Sequence, residues 1–303
     1  MEIYFWGTRG SIATPGPDTV RYGGNTTCVE IRDGDDFILI DAGTGIREAG
    51  NFILKERGMK NHIPLLITHT HWDHIQGFPF FVPAFIPGNT IELMGPKTHE
   101  QPFEKIMRSQ MQYSYFPVNF SQLGAKISAR MLDEVSFQIG GIKVTPKYVN
   151  HPIRTLGYRF EKDGKAIVFL TDFEKYYDVI FGGVPPDDEY EMEEYEEVQK
   201  AVDEQNQGVI DFCSGAEVLV IDAQYTQAEY ETKKGWGHTS MEEAIGFGRA
   251  AEVRDLVFCH HDPERTDDDL DKLLGHYQEM LGKEKGCPIS NLYATREKWS
   301  LKA

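Results

Sequence analysis

The chain has 303 residues, 40% hydrophobic and 26% charged, with 48 acidic against 31 basic side chains and a formal net charge of −17. That length supports one large core, while the acidic balance argues against a grip on extended duplex nucleic acid, which depends on many lysine and arginine contacts to phosphates. No apolar run approaches the ~20 residues that span a bilayer, so no membrane partner is expected.

The N-terminal MEIYFWGTRG lacks the basic and apolar regions of a signal peptide, and the cysteines Cys28, Cys213, Cys259 and Cys287 are scattered, with no CxxC pair. Both features point to the cytoplasm and to cysteines that serve mainly as core residues.

In chain order, EIYFW, TTCVEIR and DFILID are predicted strands, and IREAGNFILKERG spaces its apolar residues as an amphipathic helix. IPLLITH and TIELMG continue the strand pattern. A stretch rich in aromatics and methionine, near 96–120, reads as an insert; its Tyr113, Tyr115 and Phe116 could stack on a base, but packing onto the body is the default. Residues 136–172 read as successive strands turned at Gly140-Gly141 and Asp163-Gly164. A second insert covers 173–212 and contains DDEYEMEEYEEV, read as a solvated helix or flexible segment. AEVLVID and DLVFCHH are late buried strands, Ser240-Met241-Glu242-Glu243 has the form of a capping box opening the helix MEEAIGFGRAA, and DDLDKLLGHYQEML is a final helix. With no repeat and no Gly/Ser linker, residues 1–303 are expected to form a single domain of mixed sheets with helices outside. For the oligomeric state, a two-fold homodimer is the prior expectation.

The chemistry concentrates in ITHTHWDHIQGF, residues 67–78. His69 and His71 alternate as the chain leaves a strand, so their rings can chelate one ion; Asp73 and His74 follow where a helix begins and can turn to a second. Further ligand types close later strand-like runs: His151 after KVTPKYVN, Asp172 after KAIVFLT, and His260 or His261 after RDLVFC. A carboxylate such as Asp172 can bridge two cations ~3.5–4 Å apart. Solitary histidines such as His62, His99 and His276 have no such context and read as ordinary surface or core residues.

These residues, in this order, resemble the ordered motifs of the metallo-β-lactamase superfamily: HxHxDH, a histidine, a bridging aspartate and a final histidine. The resemblance extends over essentially the whole chain. It implies a four-layer αβ/βα sandwich of two mixed sheets with helices on both outer faces. It implies two divalent ions, zinc foremost with manganese or iron as alternatives: His69, His71 and His151 on one, Asp73, His74 and His260 on the other, and Asp172 between. His260 is taken over His261 because LVFCH aligns with the family strand that ends in a histidine.

Within the superfamily, AEVLVIDA ending in Asp222, the Gly237-His238-Thr239-Ser240 element and the first loop FWGTRGSIATPG resemble the ribonuclease Z-like and cyclic-nucleotide phosphodiesterase-like branch. The implied enzyme cleaves phosphodiesters with a hydroxide held between the ions, which Asp73 helps to orient. An alkoxide leaving group calls for a proton donor; His238 fits, held by Asp222. The branch's glycine- and proline-rich basic arm has no counterpart here, which favours a cyclic nucleotide or a short or single-stranded nucleic acid over tRNA 3′ processing. The alternatives are a lactone or thioester hydrolase, which would not need Asp222 and His238, and a di-iron redox or sensor protein, whose relatives replace the position of His71 by glutamate. Arg9 and Arg154 lie in loops and could reach a phosphate, but solvated surface arginines are the commoner case.

Overall fold

The computed structural model describes residues 1–98 and 101–303; His99 lies outside the described residues. Strands β1 (Glu2–Gly7), β2 (Cys28–Asp33) and β3 (Asp36–Ile40) are antiparallel neighbours. The helix α1 (Ile46–Arg57) buries Ile46, Ala49, Gly50 and Ile53, the stripe that a 3.6-residue period places on one face. Then come β4 (His62–Leu66), the short α2 (Trp72–Ile75), β5 (Thr90–Pro96), α3 (Phe103–Ser109) and β6 (Lys126–Leu132).

The second half begins with β7 (Phe137–Ile139), β8 (Ile142–Val149), β9 (Thr155–Lys162) and β10 (Lys165–Leu170), turned at the two predicted hairpins. At the second, Asp163 and Gly164 both have positive φ, as a two-residue turn of this hand requires. After α4 (Glu189–Cys213), the strand β11 (Val218–Asp222), α5 (Gln227–Tyr230), α6 (Met241–Ala250), β12 (Asp255–Cys259), α7 (Asp267–Lys283), β13 (Asn291–Ala294) and β14 (Ser300–Lys302) complete the chain.

The strands form two seven-stranded sheets, ordered β14-β1-β2-β3-β4-β5-β6 and β13-β12-β11-β10-β9-β8-β7. Alternation along single strands explains the layering. In β11, Val218 and Val220 enter the cluster between the sheets, with Ile3, Ile31, Ile40 and Phe160. Leu219 and Ile221 point the other way, into a cluster with Val209 of α4, Ile245 of α6 and Leu274 of α7. Across the first sheet, Leu39, Leu65 and Leu93 pack on Ile53 of α1 and Phe103 and Met107 of α3. The fold is the expected four-layer αβ/βα sandwich.

Five elements were not legible as such: α3, β6, α5, β13 and β14. The stretch near 96–120 packs Phe103, Met107, Met111 and Phe120 against the body, while Tyr113 and Tyr115 stay exposed. Residues 191–198 of the acidic stretch lie in the largely exposed first part of α4, whose far end supplies Val209 and Cys213 to the core. The capping box at Ser240 is half formed: its hydroxyl accepts the Glu243 N–H at 3.1 Å, but the Glu243 carboxylate turns to Lys175. All four cysteines are free and three are buried.

Arg9 is neither a phosphate ligand nor a solvated residue. Its side chain is fully buried, donating to the carbonyl oxygens of Gly23 at 2.8 Å and Arg265 at 2.6 Å, and it lies 3.6 Å from Asp267, itself buried. The arginine therefore ties the first loop to the start of α7. Arg9→Met should lower the unfolding free energy by about 3 kcal/mol, because it removes the cation beside buried Asp267 and the donor to the carbonyls of Gly23 and Arg265. Urea denaturation measures this, and a loss under ~1 kcal/mol would show that the strut is dispensable.

Candidate metal centre

The ligand-type side chains are carried by strand ends. β10, β11 and β12 are adjacent and parallel, with Leu170 level with Ile221 and Asp222 level with Cys259. Asp172, Asp222 and His260 therefore emerge at neighbouring carboxyl ends, the usual place for a site in such sheets. β3 and β4 are parallel too and deliver Asp41 and the stretch from His69 to His74. Asp41, Asp172 and His260 have φ of 61°, 51° and 60°. Left-handed backbone is uncommon outside glycine and marks a chain forced to turn sharply.

The seven expected ligands meet here in two clusters joined by Asp172, with Asp222 and His238 beside the second. In the first, Nε2 of His69 lies 3.0 Å from Nδ1 of His71, and Nε2 of His151 lies 3.1 Å from that same atom. In the second, Nε2 of His74 and Nε2 of His260 are 3.4 Å apart, 3.3 and 3.1 Å from Oδ2 of Asp73. Asp172 faces both: its Oδ1 is 3.6 Å from His69 and 3.9 Å from His151, and its Oδ2 is 3.0 Å from His74 and 3.3 Å from His260. His261 points away, bonded to the Thr295 carbonyl at 3.0 Å, so His260 is the member of the pair that reaches the site.

The tautomers test whether cations fit. His151 donates its Nδ1–H to the Gly237 carbonyl at 2.9 Å, and the Nδ1 of His69 is 3.1 Å from the Thr68 hydroxyl, which itself donates to Asp41. That leaves lone pairs on Nε2 of both rings, converging on His71 Nδ1, which can offer a proton to only one of them. A cation between the three satisfies all of them, and the donor set suits one. Burial pushes His69 well below the usual histidine range and takes His151 down to about 4, so both rings are neutral, as ligands must be. Burial alone would lower His260 too, but Asp172 and Asp73 outweigh it and push that ring up to about 9. Against its own burial, Asp172 is held well below the carboxylate range by His260, His74 and His69.

Beside the second cluster sits the other pair. Asp222, fully buried, accepts from Nδ1 of His238 at 2.8 Å, and also from the Thr239 N–H and the Asp172 N–H. The His238 ring stacks on His260, with centroids 4.9 Å apart.

Several supports were missed by the sequence reading. Asp41 accepts from Nδ1 of His74 at 2.8 Å and from the Thr68 N–H; its signal was available, since it closes DFILID as Asp222 closes VLVID. The first loop donates the Ser11 N–H to Asp73 at 2.7 Å. Gly10 lies so close that a Cβ there would sit 2.4 Å from the His260 ring. Glu174, buried, accepts the N–H groups of Gly235 and Gly237 and the Tyr230 hydroxyl. It thereby fixes the loop whose Gly237 carbonyl holds His151 and whose next residue is His238. Nothing in the sequence marked it.

The model of the β-lactamase superfamily domain matches residues 37–187, from β3 to the threshold of α4. The chain belongs to the metallo-β-lactamase superfamily, as a hydrolase of that fold whose ligand-type clusters are suited to metal ions. Within it, the chain is ribonuclease Z-like. It is 23% identical to ribonuclease Z of Pyrococcus furiosus over 288 residues, 87% of each chain. It is likewise 23% identical to ribonuclease Z of Brevibacillus brevis over 245 residues, 72% of this chain and 74% of that one. Among solved structures it resembles unliganded yeast PDE1, with a TM-score of 0.64 at 14% identity over 100% of this chain and 99% of that one.

Gly10→Ala should displace the His260 ring. Metal analysis after zinc loading should find less zinc than in wild type, with the far-UV circular dichroism unchanged; a full complement of zinc would show that the loop yields instead.

Proposed function

We propose that the protein is a metal-dependent phosphodiesterase acting on a cyclic nucleotide or on a short or single-stranded nucleic acid. His69, His71 and His151 would hold one divalent ion, Asp73, His74 and His260 the other, and Asp172 both; zinc is the first choice, with manganese and iron as alternatives. When bound, the ions supply an activated water and neutralise the phosphate oxygens. Asp73, anchored by the Ser11 N–H, orients the attacking water. His238 gives a proton to the leaving oxygen from Nε2, since its Nδ1–H is committed to Asp222.

The observation that carries this reading is the Asp222–His238 pair set against the Asp172 backbone and the His260 ring. A lactone or thioester hydrolase has less need of a buried acid there, and a di-iron redox protein none. Relatives named ribonuclease Z support RNA as a substrate, which keeps tRNA 3′ processing as the second reading. The net charge of −17 favours a small or single-stranded one. No helix among the described residues is long and apolar enough to cross a membrane. We place the enzyme in the cytoplasm, a reducing compartment that suits its four free cysteines.

His238→Ala should lose about 10²–10⁴-fold in kcat/KM on a dinucleotide or cyclic nucleotide, yet stay within about tenfold of wild type on bis(p-nitrophenyl) phosphate, whose leaving group departs without a proton. Equal losses on both ester types would remove His238 as the acid. A wild type that cleaves neither with zinc, manganese or iron would remove the phosphodiesterase. Glu174→Gln should lose roughly 10²-fold on the nucleotide substrate, because an NH₂ donor replaces one of the two oxygens that accept from Gly235 and Gly237 and so shifts His238. Unchanged kinetics would show that the loop holds its place without that carboxylate.

A further inference from the structure

A cleft of about 630 Å³ opens beside the first cluster, lined by Thr70, Ile106, Tyr148, His151, Pro152 and Arg154. Its volume lies in the range of small-molecule sites. Thr70 and His151 belong to the metal centre's own loops, so whatever occupies the cleft is joined to whatever group lies at the clusters. Ile106 comes from α3, which gives the stretch near 96–120 a place in the wall.

Arg154 is the cation of this cleft. It is exposed, and its guanidinium carbon lies 5.2 Å from the centre of the Tyr148 ring. The ring is itself fixed: the Tyr148 hydroxyl donates to the Leu132 carbonyl at 3.2 Å, and its N–H donates to Glu134 at 2.8 Å. Asp133 feels the field of Arg154, but that carboxylate is bonded to Lys97. Among the described residues Arg154 makes no ion pair and no hydrogen bond. In a chain with 48 acidic side chains against 31 basic ones, this leaves a guanidinium oriented on a ring with its donor edges free, the arrangement that receives a phosphate through two parallel bonds. Two residues, Pro152 and Ile153, separate it from His151, so the two Cα atoms are at most about 11 Å apart along an extended backbone.

We propose that this cleft binds a nucleotide unit next to the scissile bond and that Arg154 takes its phosphate, so that the substrate carries a second phosphate beside the one being cleaved. This rests on the phosphodiesterase reading and narrows it to an oligonucleotide, because a cyclic mononucleotide with its single phosphate at the metal clusters has nothing to give Arg154. The residue determines specificity and takes no part in bond cleavage.

The test is calorimetric binding of thymidine 3′,5′-bisphosphate and thymidine 5′-monophosphate to the zinc-loaded full chain, as wild type, Arg154→Ala and Arg154→Lys, with melting temperatures checked for each. Wild type should bind the bisphosphate roughly tenfold or more tightly than the monophosphate. Arg154→Ala should bind both alike, and Arg154→Lys should keep only part of the preference, since an ammonium lacks the planar fork. A wild type without the preference, or an Arg154→Ala variant that retains it, overturns the proposal. Hydrolysis of bis(p-nitrophenyl) phosphate by the same wild-type preparation separates the two claims. Preference without hydrolysis keeps the phosphate site and removes the phosphodiesterase, and hydrolysis without preference does the reverse.

Discussion

One buried carboxylate holds the centre together. Asp172 presents Oδ1 to His69 and His151 and Oδ2 to His74 and His260, so the separation of the two clusters is set by the width of a single carboxyl group. Its own position is doubly constrained. The backbone turns through φ 51° directly after β10, and the Asp172 N–H donates to Asp222. The residue that joins the two clusters is thus bonded to the residue that orients His238, and a displacement of one is felt by the other.

The sheet makes this arrangement cheap in conformational terms. Parallel strands buried on both faces are rigid, and their carboxyl ends lie side by side without any long loop to order. The cost lies elsewhere: Asp41, Asp73, Asp172 and Asp222 are all buried within one small volume, where unpaired carboxylates would be strongly unfavourable. Each is matched by an imidazole or a backbone N–H, with Asp41 on His74, Asp222 on His238, and Asp73 on His260 and the Ser11 N–H. At His74 and His238 the carboxylate stands behind the ring, on Nδ1, which fixes the tautomer and aims Nε2 inward.

Much of this was legible because period and spacing survive folding. Short apolar runs identified the core strands, and the HxHxDH spacing with strand-end His151, Asp172 and His260 identified the residues that converge. What escaped was set by tertiary context. β6 is an edge strand whose side chains are mostly exposed, so its sequence carries no alternation to read. β13 and β14 are short and gain their stability from the strands they flank. Arg9 and Arg154 looked alike as loop arginines; only the fold buries one as a strut and leaves the other open on a tyrosine. Glu174 differs from the chain's other carboxylates only in what surrounds it.

That glutamate explains how one loop can serve both halves of the proposed chemistry. Gly237 adopts φ +89°, and a Cβ there would sit 2.2 Å from the His151 ring, so the backbone itself approaches the first cluster closely enough for its carbonyl to hold Nδ1. The following residue, His238, points to Asp222 on the far side of the peptide. A single peptide unit therefore sets the angle of a proposed ligand and the place of the proposed acid, and Glu174 pins it from behind through two N–H groups. Because that unit is shared, the orientation of the first cluster and the reach of the proton donor are coupled, and a substrate wedged between His151 and Arg154 would press on both at once.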